Sequence, residues 1–130
     1  MKINETNIFL IFFSFVITLT VFPSNTKVTT VAMFNTALST VVPGDTITLT
    51  NQTWQNVVIN FSGKNGTAAL PIVLRAETFG SVIITGNSNL RIGGNYLIVD
   101  GLYFKNAVSA SNNLVEYRRN SGVPIQIIHI

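Results

Sequence analysis

The first residues to weigh are the ionisable ones. The 130-residue chain has eight Lys or Arg, five Asp or Glu, one histidine and no cysteine. Without cysteine there is no thiolate nucleophile, no disulfide and no cysteine-held zinc or iron–sulfur centre. Beyond the first residues the acids are Asp45, Glu77, Asp100 and Glu116, scattered along the chain. Asp100 and Glu116 have no acidic neighbours, and a Ca²⁺ site needs six to eight oxygen ligands. Asp45 lies in Val42-Pro43-Gly44-Asp45, where an Asx turn accounts for it. Asp100, in Val99-Asp100-Gly101, is expected to shape a bend.

What remains is cation chemistry. Lys105 ends an apolar-alternating run, and Arg118-Arg119 follow another. An arginine fork suits an anionic ligand because it can bind both oxygens of a carboxylate. Solvated surface charge is the competing reading of all three. The net charge is +3, a mild match to an acidic partner. The basic residues are too dispersed, and too little interleaved with aromatics, for a nucleic-acid surface. Tyr103 alternates outward between Leu102 and Phe104 and offers a flat ring for stacking; Tyr96 and Trp54 are further candidates. His129 receives no role. Gly63-Lys64-Asn65-Gly66-Thr67 superficially suggests a phosphate loop, but it lacks the spacing and the following helix, so it reads as a turn. Asn51-Gln-Thr, Asn60-Phe-Ser and Asn65-Gly-Thr fit the glycosylation sequon, which only a eukaryotic secretory host uses.

The elements that position these residues begin after a leader. Met1-Lys2 precedes the apolar run Ile8 to Phe22, whose length and hydroxyl residues suit a signal-peptide core better than a membrane span. Residues 1–24 are therefore expected to be a signal peptide directing a secreted or periplasmic product, with an uncleaved membrane anchor as the alternative. The sequence is 47% hydrophobic, only 10% charged and rich in β-branched residues, which argues against disorder in residues 25–130. Thr30 to Ser39 places Val31, Phe34 and Leu38 on one helical face, with Thr29 or Thr30 available as N-cap.

Short alternating runs follow, each bounded by Gly, Asn, Pro or Ser. Ile47, Ile72 and Leu97 are spaced by 25, as are Leu49, Leu74 and Val99. Val57 with Val82, Ile59 with Ile84, Leu90 with Val115 and Ile92 with Tyr117 repeat the interval. Three short strands per turn predict an all-β, right-handed parallel β-helix, with the amphipathic helix as its N-terminal cap. An antiparallel sandwich also has many short strands, but nothing in it holds three registers at one offset. Val123 to Ile130 starts another apolar strand with no cap, as in a chain truncated at its C-terminal side.

Several phrases carry a family resemblance. Val42 to Leu49, the Asn51-Gln-Thr-Trp54 turn, Leu70 to Gly80, Val82 to Gly86 and Tyr96 to Asn106 resemble the opening coils of polysaccharide lyase family 6. That family holds alginate lyases and the dermatan-cleaving chondroitinase B. The resemblance implies β-elimination on uronate-containing polysaccharide. Ca²⁺ neutralises the uronate carboxylate, a lysine takes the C5 proton and an arginine helps the 4-linked oxygen leave. The family places those groups in later coils, so no catalytic residue and no metal ligand is assigned in this chain. Lys105, Arg118, Arg119 and Tyr103 are its candidate substrate contacts. The expectation is the N-terminal portion of an exported lyase for an anionic polysaccharide, alginate favoured over dermatan or chondroitin sulfate, inactive by itself. A non-catalytic β-helix binding or surface protein is the alternative. Oligomeric state is not legible.

Overall fold

A computed structural model describes residues 20, 22–110 and 112–118. Strand β1 (Asn25–Val28) leads into helix α1 (Val31–Thr40). Nine strands follow: β2 (Thr46–Leu49), β3 (Gln52–Gln55), β4 (Val58–Ser62), β5 (Ile72–Ala76), β6 (Val82–Asn87), β7 (Asn89–Gly93), β8 (Leu97–Asp100), β9 (Leu102–Val108) and β10 (Val115–Tyr117). They build three sheets in the orders β1-β2-β5-β8, β3-β6-β9 and β4-β7-β10, and every pairing is parallel. Each turn of chain gives one strand to each sheet. This is the parallel β-helix that the alternating runs predict.

The core follows from the alternation. Side chains point to opposite faces of a strand in turn, and parallel register stacks like on like between coils. Ile47, Leu74 and Val99 form one inward column, and Trp54, Ile84 and Phe104 a second. Ile59, Leu90 and Val115 form a third. Most of these side chains are buried, and removal of their apolar surface from water is the main stabilising term.

The registers differ from a uniform interval of 25. Ile47 pairs with Leu74, 27 residues on, whereas Leu74 pairs with Val99 after 25. A slip of two leaves the inward set unchanged, so the first sheet keeps its expected core. The second set of expected pairs does not form. Ile59 lies on Leu90, 31 residues on, and Ile84 lies on Trp54 in a different sheet. Asn51 to Trp54, expected as a turn, contributes to strand β3 instead. The cause is unequal connections. The segment between β4 and β5 is long, whereas single residues, Ser88 and Gly101, turn β6 into β7 and β8 into β9. Gly101 makes the bend that Asp100 was expected to shape. Its φ is +76°, and a Cβ there would stand 3.2 Å from the Ala76 Cβ.

Helix α1 covers the first coil. Thr30 is extended (φ −139°), and its hydroxyl accepts from the Met33 N–H at 3.1 Å, which satisfies one orphan donor. Phe34 is fully buried and meets Phe61 edge-on, ring centroids 6.5 Å apart. Val31, Ala37 and Leu38 pack against the same core. Strand β1, which the sequence pattern does not announce, joins the outer edge of the first sheet through its pairing with β2. Residues 1–19 and 119–130 lie outside the described residues, and so do most of the expected leader and the closing apolar strand.

Candidate functional site

The outward faces carry the chemistry, and they divide the candidates. Tyr103 and Lys105 are two residues apart on β9 and share its outer side. Tyr103 is 48% exposed, stacked over Ile83 and Thr53 of the preceding coils. After Phe104 the ladder slips: Ile84 pairs with Phe104, but Gly86 pairs with Ala107. Lys105 and Asn106 therefore both face Thr85, and Asn106 takes a φ of +50°. A bulge of this kind bends the strand and re-aims its side chains, here at Lys105.

Arg118 belongs to another face. It follows β10, and its Nε donates to Glu116 Oε1 at 3.0 Å. The second oxygen of Glu116 accepts from Arg91 Nε at 3.1 Å. Arg91 and Glu116 are axial neighbours in register, as are Asn60 and Arg91 below them. One carboxylate thus aligns two guanidinium groups and leaves a surplus positive charge. Both contacts use Nε, so the forked Nη ends stay available to a ligand. Lys105 and Arg118 sit on different sheets and are not brought into one site. Arg119 and His129 lie outside the described residues.

The aromatic candidates separate likewise. Trp54 is 3% exposed, and its indole N–H donates to the Thr50 carbonyl at 3.2 Å. It is a core residue and offers no stacking surface, contrary to the sequence expectation. Of Gln52-Thr53-Trp54-Gln55 only the tryptophan is buried. Tyr96 is partly exposed, with a φ of +51°, and its carbonyl accepts from Ile72 N. Gly63 to Thr67 ties neighbouring coils together. Asn65 Oδ1 accepts from Asn95 N, Gly66 N donates to the Asn95 carbonyl, and Lys64 Nζ reaches the Ser39 carbonyl at 2.8 Å.

The acids do not form a metal centre. Among the described residues no three His, Cys, Asp or Glu side chains could share an ion. Asp45 accepts from Ser24 N at 2.8 Å and Val42 N at 2.9 Å. Its burial pushes the carboxyl up, but those N–H donors outweigh it and hold the group below its ordinary range. Glu77 is lowered chiefly by its hydrogen bond from Lys27 and also takes the Asn51 N–H. Glu116 is occupied by its two arginines, and Asp100 ends β8 in register with Arg75. The described acids do not fit the Ca²⁺ ion of the family chemistry. Burial raises the Tyr117 hydroxyl above its ordinary value.

The family model described as Chondroitinase B matches residues 28–123. The chain belongs to this family, that of the family 6 polysaccharide lyases. Its coils superpose on the family 6 alginate lyase AlyGC with a TM-score of 0.70 and 39% identity, over 75% of this chain and 13% of that one. The family 6 polysaccharide lyase Pedsa3628 from Pseudopedobacter saltans gives 0.60 and 35%, over 63% and 19%. A mannuronic acid specific family 6 lyase from human gut microbiota gives 0.64 and 31%, over 71% and 22%. A search of curated proteins finds no match. The chain therefore spans less than a quarter of these lyases' length.

The Arg91–Glu116–Arg118 cluster escaped the sequence reading. Its trace in the sequence is the 25-residue offset between Arg91 and Glu116, the same interval that relates the apolar Leu90 and Val115.

Proposed function

We propose that this chain forms the first coils of an exported polysaccharide lyase acting on a uronate-rich polymer, with alginate favoured and dermatan or chondroitin sulfate second. The likeness to an alginate lyase at 39% identity over three quarters of the chain carries this reading. Mannuronic acid specificity in another relative agrees with the preference for alginate. In the reaction a base removes the uronate C5 proton, the electron pair forms the C4–C5 double bond, and the 4-linked oxygen leaves with a proton. The family chemistry draws on Ca²⁺ to neutralise the uronate carboxylate. Its ligands, the base and the assisting arginine are assigned to coils outside this chain. The residues here serve polymer contact: Tyr103 by stacking on a sugar ring, and Lys105 and Arg118 by meeting carboxylates.

The test is to sequence the coding region beyond Ile130, express the whole reading frame and follow unsaturated uronate ends released from alginate. Turnover by the longer product and none by the 130-residue chain is the expected result. Robust turnover by the 130-residue chain alone defeats the assignment of catalysis to other coils. A genuine stop codon after Ile130 defeats the lyase reading and favours a small binding module.

A further inference from the structure

Beside the arginine cluster lies a recess of about 200 Å³, at the corner where β6 turns into β7. Val58, Asn87, Asn89, Arg91, Ser109 and Ala110 line it, with Ser88 at the corner itself. Each wall has a structural reason. The single-residue corner at Ser88 brings the ends of two sheets together, and its hydroxyl is consumed in holding that corner by donating to the Thr85 carbonyl and accepting from Val57 N. Asn87 Oδ1 accepts from Ala110 N at 3.1 Å, which fixes the opposite rim. Val58 is 49% exposed and supplies an apolar patch.

Arg91 supplies the charge. Its side chain is 34% exposed and half-shielded from solvent, so an ion pair there is less screened than on open surface. Glu116 holds its Nε at 3.1 Å, and Arg118 holds the other oxygen of Glu116. The guanidinium is thus ordered before a ligand arrives, which reduces the entropy lost on binding. Its Nη fork is the part left to bind. An apolar patch and one pre-ordered fork, held side by side at a rigid corner, make up the recognition set for a single acidic sugar. The ring lies on the patch and its carboxylate meets the fork.

We infer that this recess is a binding subsite for one uronate unit, with Arg91 as the carboxylate-binding residue and Glu116 as the residue that positions it. The inference deepens the proposed function and rests on that reading of the polymer. It adds a contact apart from Tyr103 and Lys105, on the corner between the second and third sheets.

The test is direct binding, by calorimetry, of an oligomer of uronate units to the 130-residue chain. A carboxyl-reduced oligomer of the same length serves as the neutral probe, and a sulfated neutral oligomer as the alternative anion. Arg91→Ala is expected to weaken uronate binding about tenfold or more, from loss of a charge-assisted hydrogen bond. Arg91→Lys keeps the charge and the stem, and is expected to recover only part of the affinity because it lacks the fork. Arg75→Ala removes the same charge from the first sheet, outside the recess, and is expected to change affinity less than about twofold. Equal weakening by Arg75→Ala and Arg91→Ala overturns the inference in favour of diffuse charge attraction. Uronate binding that Arg91→Ala leaves intact also overturns it while the lyase reading stands. Equal affinity for the sulfated oligomer, with the same Arg91 dependence, overturns the assignment to carboxylate. No binding by the parent chain overturns the subsite, and turnover by the whole reading frame then decides the lyase reading separately. Thermal melts of each variant identify any loss due to unfolding, and Arg91→Lys keeps the test valid if Arg91→Ala fails to fold.

Discussion

Truncating Phe34 should show whether helix α1 closes the solenoid or merely decorates it. Phe34→Ala removes a ring that is fully buried and packed edge-on against Phe61. Large-to-small substitutions of buried Phe cost about 3–5 kcal/mol through lost transfer energy and an unfilled cavity. The ring-edge contact is already part of that figure. A domain of this size has a total stability of about 5–15 kcal/mol, so one side chain carries a large share of it. Because coils are stabilised by their neighbours, loosening the first coil should propagate along the stack. Urea unfolding followed by circular dichroism measures the first effect, and amide exchange the second. The midpoint should fall by the equivalent of about 3 kcal/mol or more. Protection should fall in β2 and β4 as well as within α1. A loss below about 1 kcal/mol, or exchange confined to α1, would refute the capping role.

Other consequences follow from single contacts. An amide at position 45 can accept only one of the two N–H donors that Asp45 holds, so Asp45→Asn should cost about 1–2 kcal/mol in urea melts at neutral pH. Because the folded carboxyl is lowered, its contribution is full above the ordinary carboxylate pKa and lost as pH falls through the lowered value. The stability gap between parent and variant should therefore shrink in acid, and a gap constant from neutral pH to strong acid contradicts the assignment. Trp54, the sole tryptophan, should emit as a buried indole, resist acrylamide quenching and ignore added oligouronate. A clear emission change on adding saccharide would return it to the surface. Gly66→Ala places a Cβ 2.7–2.9 Å from Tyr96 O, Ile72 N and Leu70 O, whereas Gly63→Ala meets nothing within 4 Å. Thermal melts should show a cost of about 1–3 kcal/mol at Gly66, exceeding the backbone strain of about 1 kcal/mol at Gly63. The reverse order is the contrary result.

The inward face was legible because strict alternation survives any slip of two residues, so Ile47, Leu49, Leu74 and Val99 were placed in the core even where the partner was misnumbered. Coil length was less legible. An interval of 25 holds from Leu74 to Val99 and from Leu90 to Val115, but connections of different length separate Trp54 from Ile84 and Ile84 from Phe104. Strand β1 went unseen because only Val28 of its four residues is buried. Helix α1 was legible from its cap and its apolar face. Of the candidate contacts, Tyr103 was placed correctly on the outside by its buried neighbour Leu102. The distribution of Lys105 and Arg118 over different sheets depended on where each corner falls, which the local pattern does not encode. The pairing of Arg91 with Glu116 needed the register itself.

The tie between Ser24 and Asp45 also marks where the first coil is fastened. Ser24 donates its N–H to Asp45, and its carbonyl accepts from Thr46 N at 2.8 Å, so this residue is the first hydrogen-bonded link of the first sheet. A chain that began at Ser24 would keep both bonds and set its α-ammonium group against a buried carboxylate. One that began at Asn25 would lose both and leave Asp45 with the Val42 N–H alone. The folded coil therefore distinguishes two starting points that differ by a single residue.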